Sequence, residues 1–291
     1  MSEQITDWVA HYEKTWGEMK EQLEKEGIRR IDIWNGNAPE HPLKNGFAAG
    51  LYLLPVHEGT PRGTIIVCAG GAFKFKNPNE AKPVAEFFHA LGINAAILDY
   101  TVDSRYNYGT VEAYPAMTAA RNDALQAVRY LRVNAEKLGI LPDKIAVSGF
   151  SAGGRTAQSA AVFFDCGDPA SDDPMKRVSS RPDACLLFYG AMSDCLRMDV
   201  LEVDREKQHL RAMNDPITNM RPDTPPTFIF QTVSDDPRWA LTYALALADR
   251  GVECEVHTFA EGHHGEGMYD NVPYTAKWAD LAGQWLIHLG F

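Results

Sequence analysis

The sequence predicts an α/β fold in which helices cover both faces of a mostly parallel sheet. From Thr64 onward, short apolar segments with strand character alternate with segments of helical character. One of these strands runs directly into a glycine-rich turn and then into a helix of small residues, at about residues 144–161. The chain has 291 residues, which is enough to bury one large core. We therefore expect a single α/β domain over residues 1–291.

The elements before Thr64 are a helix and two strands. Apolar side chains recur at steps of three and four residues over about residues 5–26, which is typical of an amphipathic helix. Strands are predicted at 28–33 and 48–56, with a loop rich in Pro, Gly and Asn between them.

The elements after Thr64 follow the alternation that a parallel sheet needs. Strands are predicted at 64–68, 93–100, 144–148, 184–189, 227–232 and 252–259, and helices at 80–91, 115–138, 237–250 and 274–289. The exception is the long segment 192–226 between two strands. Sites in open parallel sheets lie beyond the C-terminal strand ends. The segment is therefore predicted to be a small lid-like insertion, with an excursion at the edge of the fold as the alternative.

Composition and charge exclude several classes of function. A formal net charge of −11 disfavours a nucleic-acid or anionic-membrane surface, because phosphate binding needs clustered Lys and Arg. The five cysteines are scattered and form no Cys-x-x-Cys pair, which favours a reducing compartment. No basic and apolar leader and no apolar run of 18 residues is visible. We expect a cytoplasmic protein that binds neither nucleic acid nor membrane.

The pentapeptide Gly149–Gly153, Gly-Phe-Ser-Ala-Gly, fits the pattern Gly-x-Ser-x-Gly. It stands between a predicted strand and a predicted helix, and strand, tight turn and helix is the setting that exposes a nucleophilic serine. A glycine-rich turn before a helix can also be simple chain punctuation. Ser151 is therefore a candidate nucleophile whose partners must be found elsewhere.

Two adjacent histidines, His263 and His264, follow the last predicted strand in a glycine-flanked loop. A serine hydroxyl needs a base to take its proton. His257 lies within the strand and His288 within the last helix, so the adjacent pair are the better candidates. No third ligand at convincing spacing accompanies them, and we therefore predict no metal and no other cofactor.

Two carboxylates, Asp235 and Asp236, follow the strand 227–232. Their position fits the chain order serine, acid, histidine. Asp236 also precedes Pro237, a pattern typical of a helix N-cap followed by proline. If Asp236 only caps, Asp235 orients the histidine, and the residues themselves leave both readings open.

The segment Ala69–Phe73 follows the strand 64–68 and is made of small residues up to Phe73. Small residues let backbone N–H groups approach a developing oxyanion. In serine hydrolases with this chain order, one donor is the residue after the serine, here Ala152, and another comes from this early loop. Four loops at four strand ends thus predict nucleophilic serine catalysis.

Seven segments between Gly63 and the C-terminus carry a family resemblance: Cys68–Phe73, Leu98–Tyr100, Asp123–Arg132, Gly149–Gly154, Pro225–Phe228, Asp235–Pro237 and Gly262–Gly265. Through them the chain resembles the α/β-hydrolase esterases of the acetyl esterase and acetyl xylan esterase type, relatives of the hormone-sensitive-lipase-like enzymes. The resemblance implies the α/β-hydrolase fold.

The resemblance also implies roles. Ser151 would be the nucleophile and His264 the base, since the family histidine directly precedes a glycine. Asp236 would be the acid, since the family aspartate directly precedes a proline. The implied oxyanion donors are the amides of Gly71, Ala72 and Ala152, with Ala72 standing where the family loop has its third glycine.

The expected function is a serine carboxylesterase that hydrolyses short acyl esters, in particular acetyl groups on xylo-oligosaccharides. The expected partner is thus a small ester, and the sequence leaves the oligomeric state open. One alternative is another serine hydrolase, a peptidase or thioesterase, although peptidases of this fold commonly carry an added gating domain. The other is a catalytically silent binding protein, which the complete set of competent residues disfavours.

Overall fold

The computed structural model describes residues 7–39, 47–105, 107, 110–191 and 204–291. Within them lies one sheet of eight strands in the order β1-β2-β4-β3-β5-β6-β7-β8. The strands are β1 Arg30–Asp32, β2 Gly50–Leu53, β3 Arg62–Cys68, β4 Asn94–Asp99, β5 Ile140–Phe150, β6 Ala184–Phe188, β7 Thr227–Thr232 and β8 Cys254–Phe259. β2 pairs antiparallel with both β1 and β4, and every other pair is parallel. The predicted mostly parallel sheet is confirmed.

Helices lie on both faces of this sheet. They are α1 Trp8–Lys25, α2 Lys82–Ala90, α3 Tyr114–Val133, α4 Ala135–Leu138, α5 Ala152–Val162, α6 Pro174–Arg177, α7 Arg205–Asn214, α8 Arg238–Ala248 and α9 Lys277–His288. Helices α1, α2 and α9 share one apolar cluster with the sheet, and α3, α5 and α8 share the other. Each face of the sheet therefore has its own core.

The first helix shows how local sequence fixes an element. Asp7 caps it, because its carboxylate accepts a hydrogen bond from the backbone N of Ala10 at 3.0 Å. Its apolar stripe then buries Trp16, Met19 and Leu23 against the sheet. The helix predicted over 5–26 is present, and it runs from Trp8 to Lys25.

The predicted long helix over 115–138 is wrong in one respect, since it is two helices. Asn134 separates α3 from α4, and its side-chain amide donates to the carbonyl of Tyr130 at 2.8 Å. Such a local side-chain bond competes with continuation of the helix. Gly139, with φ +70, then ends α4.

The central strands are buried on both faces, which explains their nearly continuous apolar sequence. In β3, Ile65 belongs to one core cluster and the next residue, Ile66, to the other. Trp278 of α9 is fully buried, and its ring stacks on Phe230 with centroids 5.5 Å apart. This aromatic cluster lies beneath the ends of β5 to β7.

The segment predicted as a lid is described only in part, since 192–203 lies outside the described residues. The described part contains α7, and its last residue, Asn214, is hydrogen-bonded to α5. The guanidinium of buried Arg155 donates to the carbonyl of Asn214 at 2.9 Å. No helix in the described ranges is both long and apolar enough for a membrane span.

The chain order of the strands locates a crevice. From β3 the chain moves to β4 on one side, and it then returns to place β5 on the other side of β3. In open parallel sheets such a reversal leaves a crevice at the C-terminal strand ends. The loops after β3 and β5 flank this crevice.

Candidate active site

Ser151 is the residue directly after β5 and directly before α5. Its backbone has φ 51 and ψ −117, a strained conformation that costs about 1–3 kcal/mol. Two hydrogen bonds hold it there: its N–H donates to the carbonyl of Phe188 at 3.0 Å, and its carbonyl accepts from the N–H of Arg155 at 2.9 Å. The predicted strand, sharp turn and helix are therefore present around the serine.

Gly153 shows why this turn needs glycine. A Cβ on Gly153 would lie 2.0 Å from the carbonyl oxygen of Cys68, at the end of β3. No side chain can occupy that space without moving the strand. The close approach brings α5 against the end of β3, where the predicted oxyanion loop begins.

Three side chains form a continuous hydrogen-bonded chain. The hydroxyl of Ser151 lies 2.7 Å from Nε2 of His264, and Nδ1 of His264 lies 2.9 Å from Oδ2 of Asp235. Since an ionised carboxylate can only accept, Nδ1–H donates to Asp235, and Nε2 is left to accept the serine proton. The loops after β5, β7 and β8 thus bring a hydroxyl, an imidazole and a carboxylate into one line.

The structure corrects the choice of Asp236 as the carboxylate beside His264. Asp235 ends the 3-10 turn Val233–Asp235 and faces the imidazole, whereas the backbone at Asp236 turns to φ 48. The carboxylate of Asp236 instead accepts hydrogen bonds from Arg238, at 3.1 Å from its backbone N and 2.8 Å from Nε. The guanidinium of Arg238 holds the pKa of Asp236 below its usual range. The N-cap of α8 is Pro237, one residue later than the capping interpretation predicts, and Asp236 contacts the helix through the N–H of its first residue, Arg238.

The environment of His264 favours its protonated form. Burial lowers the pKa of His264, but the hydrogen bond and charge of Asp235 and the charge of Glu80 outweigh it, so the pKa lies above 6.5. The ring of Tyr189 packs against the imidazole with centroids 4.9 Å apart. The neighbouring His263 has 78% of its side chain exposed, so only His264 faces the serine.

The loop after β3 carries the predicted oxyanion donors. Gly71 has φ +141 and Ala72 has φ 53. A Cβ on Gly71 would lie 2.1 Å from the carbonyl of Phe75, so this position needs glycine. Within the described ranges, the N–H groups of Gly71 and Ala72 donate to no protein acceptor. Ala152 is the first residue of α5, where the N–H has no partner inside the helix.

Sequence reasoning missed two buried residues at the site, Glu80 and Tyr189. Glu80 is 1% exposed, and its Oε2 accepts from the N–H of Gly70 at 2.7 Å. Its Oε1 accepts from the hydroxyl of Tyr189 at 2.6 Å. In the sequence Glu80 looks like an ordinary first-turn acid of a helix, and no local pattern indicates burial. Among the described residues, no three His, Cys, Asp or Glu side chains converge as metal ligands.

Comparison with known proteins identifies the family of this chain. The model of the BD-FAE family matches residues 51–238. Two curated relatives are endo-1,4-beta-xylanase B of Butyrivibrio fibrisolvens, 28% identical over 81% of this chain, and an acetylxylan esterase of Xylanibacter ruminicola, 22% identical over 77% of it. The chain spans 37% and 45% of their lengths, less than half of each.

Solved structures match over nearly the whole chain. An acetyl ester-xyloside bifunctional hydrolase from Caldicellulosiruptor lactoaceticus is 31% identical, with a TM-score of 0.79 over 90% of this chain and 96% of that one. Esterase Est2 of Thermogutta terrifontis, solved with propionate, is 26% identical, with a TM-score of 0.70 over 91% and 95% of the two chains. These similarities confirm the α/β-hydrolase fold and the resemblance to acetyl-esterase-type enzymes.

Proposed function

The chain belongs to the BD-FAE family, and on that premise we propose that it is a serine esterase acting on short acyl esters. The observation that carries the proposal is the hydrogen-bonded chain from Ser151 through His264 to Asp235, with distances of 2.7 and 2.9 Å. The N–H groups of Gly71 and Ala72, which donate to no acceptor in the described part of the chain, add to it.

The proposed reaction has two halves. The oxygen of Ser151 attacks the ester carbonyl while Nε2 of His264 takes its proton, and Asp235 holds the imidazole and stabilises the imidazolium. The amides of Gly71, Ala72 and Ala152 stabilise the oxyanion. The imidazolium gives the proton to the departing alcohol. Water, deprotonated by His264, then attacks the acyl-enzyme and releases the acid and the free serine.

The proposed substrates are acetylated carbohydrates, in particular xylo-oligosaccharides. The support is that the proteins similar to this chain include an acetylxylan esterase and an acetyl ester-xyloside bifunctional hydrolase. Residues 192–226 are proposed to contribute to the substrate side of the cleft. A cytoplasmic location is part of the proposal. The four described cysteines are all free, which fits a reducing compartment.

The test is a panel of p-nitrophenyl esters from acetate to octanoate, with Ser151→Ala as the control. We expect the highest kcat/KM for acetate and no turnover by the variant. Turnover of no ester would refute the esterase proposal, and a preference for octanoate would refute the acetyl assignment. Release of acetate from acetylated xylo-oligosaccharides, compared with acetylated cello-oligosaccharides, tests the sugar.

A further inference from the structure

Glu80 is a buried carboxylate that the proposed mechanism does not use. It ends the 3-10 turn Pro78–Glu80, between the oxyanion loop and α2. A buried carboxylate is costly unless hydrogen bonds compensate it. Here both oxygens are occupied: Oε2 accepts from the N–H of Gly70 at 2.7 Å, and Oε1 accepts from the hydroxyl of Tyr189 at 2.6 Å.

Tyr189 extends this contact to the loop that carries His264. Its hydroxyl accepts a hydrogen bond from the N–H of Gly267 at 3.1 Å, and its ring packs against the imidazole. A second link runs parallel to it, since the side-chain amide of Asn77 donates to the carbonyl of Gly265 at 3.3 Å. The turn that ends at Glu80 is thus tied at two points, Gly265 and Gly267, to the part of the histidine loop that follows His264.

The same carboxylate lies close to the nucleophile. A Cβ placed on Gly70 would lie 2.5 Å from Oε2 of Glu80 and 3.0 Å from Cβ of Ser151, so a single atom would fill the gap between them. The N–H of Gly70, which donates to Glu80, directly precedes the N–H groups of Gly71 and Ala72, the two proposed oxyanion donors on this loop. Glu80 therefore contacts the oxyanion loop and, through Tyr189, the histidine loop.

We propose that Glu80 is a positioning residue for the proposed esterase reaction. Its carboxylate joins the oxyanion loop to the histidine loop, and its negative charge supports the imidazolium of His264 in the transition state. This inference rests on the proposed function, and it assigns a role to a residue outside the chain of Ser151, His264 and Asp235.

The donor and acceptor roles in these hydrogen bonds favour an ionised Glu80. The N–H groups of Gly70 and Gly267 can only donate, so Oε2 and the oxygen of Tyr189 must accept from them. The hydroxyl proton of Tyr189 is then free for Oε1, and neither carboxylate oxygen needs a proton of its own. Burial raises the pKa of Glu80 above its usual range, and the bonds from Tyr189 and Gly70 and the charge of His264 offset part of that rise.

Other titratable groups surround Glu80 and His264 in the described part of the chain. Tyrosines near Glu80 lie on α1, after β4, after β6 and on the histidine loop. Burial, and in each case the charge of Glu80, raises their pKa above 10, so they stay neutral in an assay from pH 5 to 9. Asp235 faces the imidazole from the turn after β7. Within the described ranges, the set is Tyr12, Tyr100, Tyr189, Asp235, His263, Glu266 and Tyr269.

The test measures kcat, KM and the pH profile of kcat/KM for p-nitrophenyl acetate in three variants. Glu80→Gln keeps the size but offers only one acceptor, so kcat should fall roughly ten- to a hundredfold while KM stays near the parent value. The acid limb should move to lower pH, because loss of a negative charge makes the imidazolium less stable.

The other two variants separate position from charge. Glu80→Asp retains the charge on a shorter side chain, so kcat should fall while the acid limb stays in place. Tyr189→Phe keeps the ring on His264 but breaks the link to Gly267, and kcat should fall roughly three- to tenfold. These two also keep the inference testable if Glu80→Gln does not fold.

Glu266→Gln is the matched control, since it removes a charge from the histidine loop two residues from His264. It should leave both kcat and the acid limb unchanged. An unshifted acid limb in folded Glu80→Gln, or an equal shift in Glu266→Gln, would overturn the charge role. Parental kcat in Glu80→Gln, or in Tyr189→Phe, would overturn the positioning role. Full activity of Ser151→Ala would instead refute the proposed function itself.

Discussion

Replacing Asp235 by Asn should abolish most esterase activity, whereas the same change at Asp236 should not. In the structure Oδ2 of Asp235 lies 2.9 Å from Nδ1 of His264, and this bond keeps the proton on Nδ1. An asparagine can present its NH₂ to Nδ1 instead, which shifts the ring proton to Nε2, where it faces the hydroxyl of Ser151. That tautomer cannot accept the serine proton. In a serine protease the equivalent change lowers kcat by about 10⁴-fold.

The expected loss here is somewhat smaller. The side chain of Asp235 is 18% exposed, so water can partly replace the carboxylate. We expect kcat to fall by about 10³- to 10⁴-fold, or about 4–5.5 kcal/mol in the activation free energy. The assay is kcat for p-nitrophenyl acetate at pH 8, with thermal melting to confirm the fold.

Asp236→Asn is the matched control for that experiment. Asparagine tolerates the positive φ of 48 at this position, and the contact it loses is an exposed pair with Arg238. Activity should stay close to the parent value. A large loss in Asp236→Asn together with parental kcat in Asp235→Asn would show that our assignment of the acid is wrong.

Three further predictions follow from burial and backbone geometry. The acid limb of kcat/KM should have its midpoint above pH 6.5, because the pKa of His264 is raised and only the neutral imidazole is a base; a midpoint below 6.5 would contradict this. Burial raises the pKa of Asp123 to about 6, so the folded state favours the protonated carboxyl. This preference contributes roughly 3 kcal/mol to the free energy of unfolding. The contribution is complete below pH 3.8 and is lost as the pH rises through 6. Urea titrations of the parent and Asp123→Asn at pH 4.5 and 7.5 should show a smaller pH difference in the variant. Gly153→Ala should lower soluble yield and melting temperature strongly, since its Cβ would lie 2.0 Å from the carbonyl of Cys68; parental melting would refute the steric argument.

The sheet and the positions of the site loops could be predicted from sequence because their signals are local. Strand bounds follow apolar runs, and Ser151 follows the last residue of β5 as the Gly-x-Ser-x-Gly pattern requires. His264 lies in the glycine-flanked loop that follows β8. The break of the long helix at Asn134 was missed because it depends on one side-chain hydrogen bond rather than on apolar periodicity.

The choice between two adjacent aspartates could not be made from sequence. Which carboxylate faces His264 is decided by the backbone angle at Asp236 and by a side-chain hydrogen bond within the turn, from Gln231 to the carbonyl of Asp235 at 2.9 Å. Neither leaves a pattern in the chain. Glu80 and Tyr189 were missed for the same reason, since 109 positions separate them and only the fold brings them together.

Backbone strain in this molecule is concentrated where the chemistry is proposed. Of the seven non-glycine residues with positive φ among the described residues, six lie on the loops at the C-terminal edge around the crevice: Ala72, Phe73, Ser151, Tyr189, Asp236 and Tyr269. Each such conformation costs about 1–3 kcal/mol and persists only where neighbours fix it. For Phe73 the neighbour is the N–H of Asp103, which donates to its carbonyl at 2.7 Å. For Tyr189 it is the pair of bonds at its hydroxyl, which donates to Glu80 and accepts from the N–H of Gly267. The hydrogen bonds that brace these loops therefore act on the geometry of the site directly, so removing one should cost catalytic rate even where the fold survives.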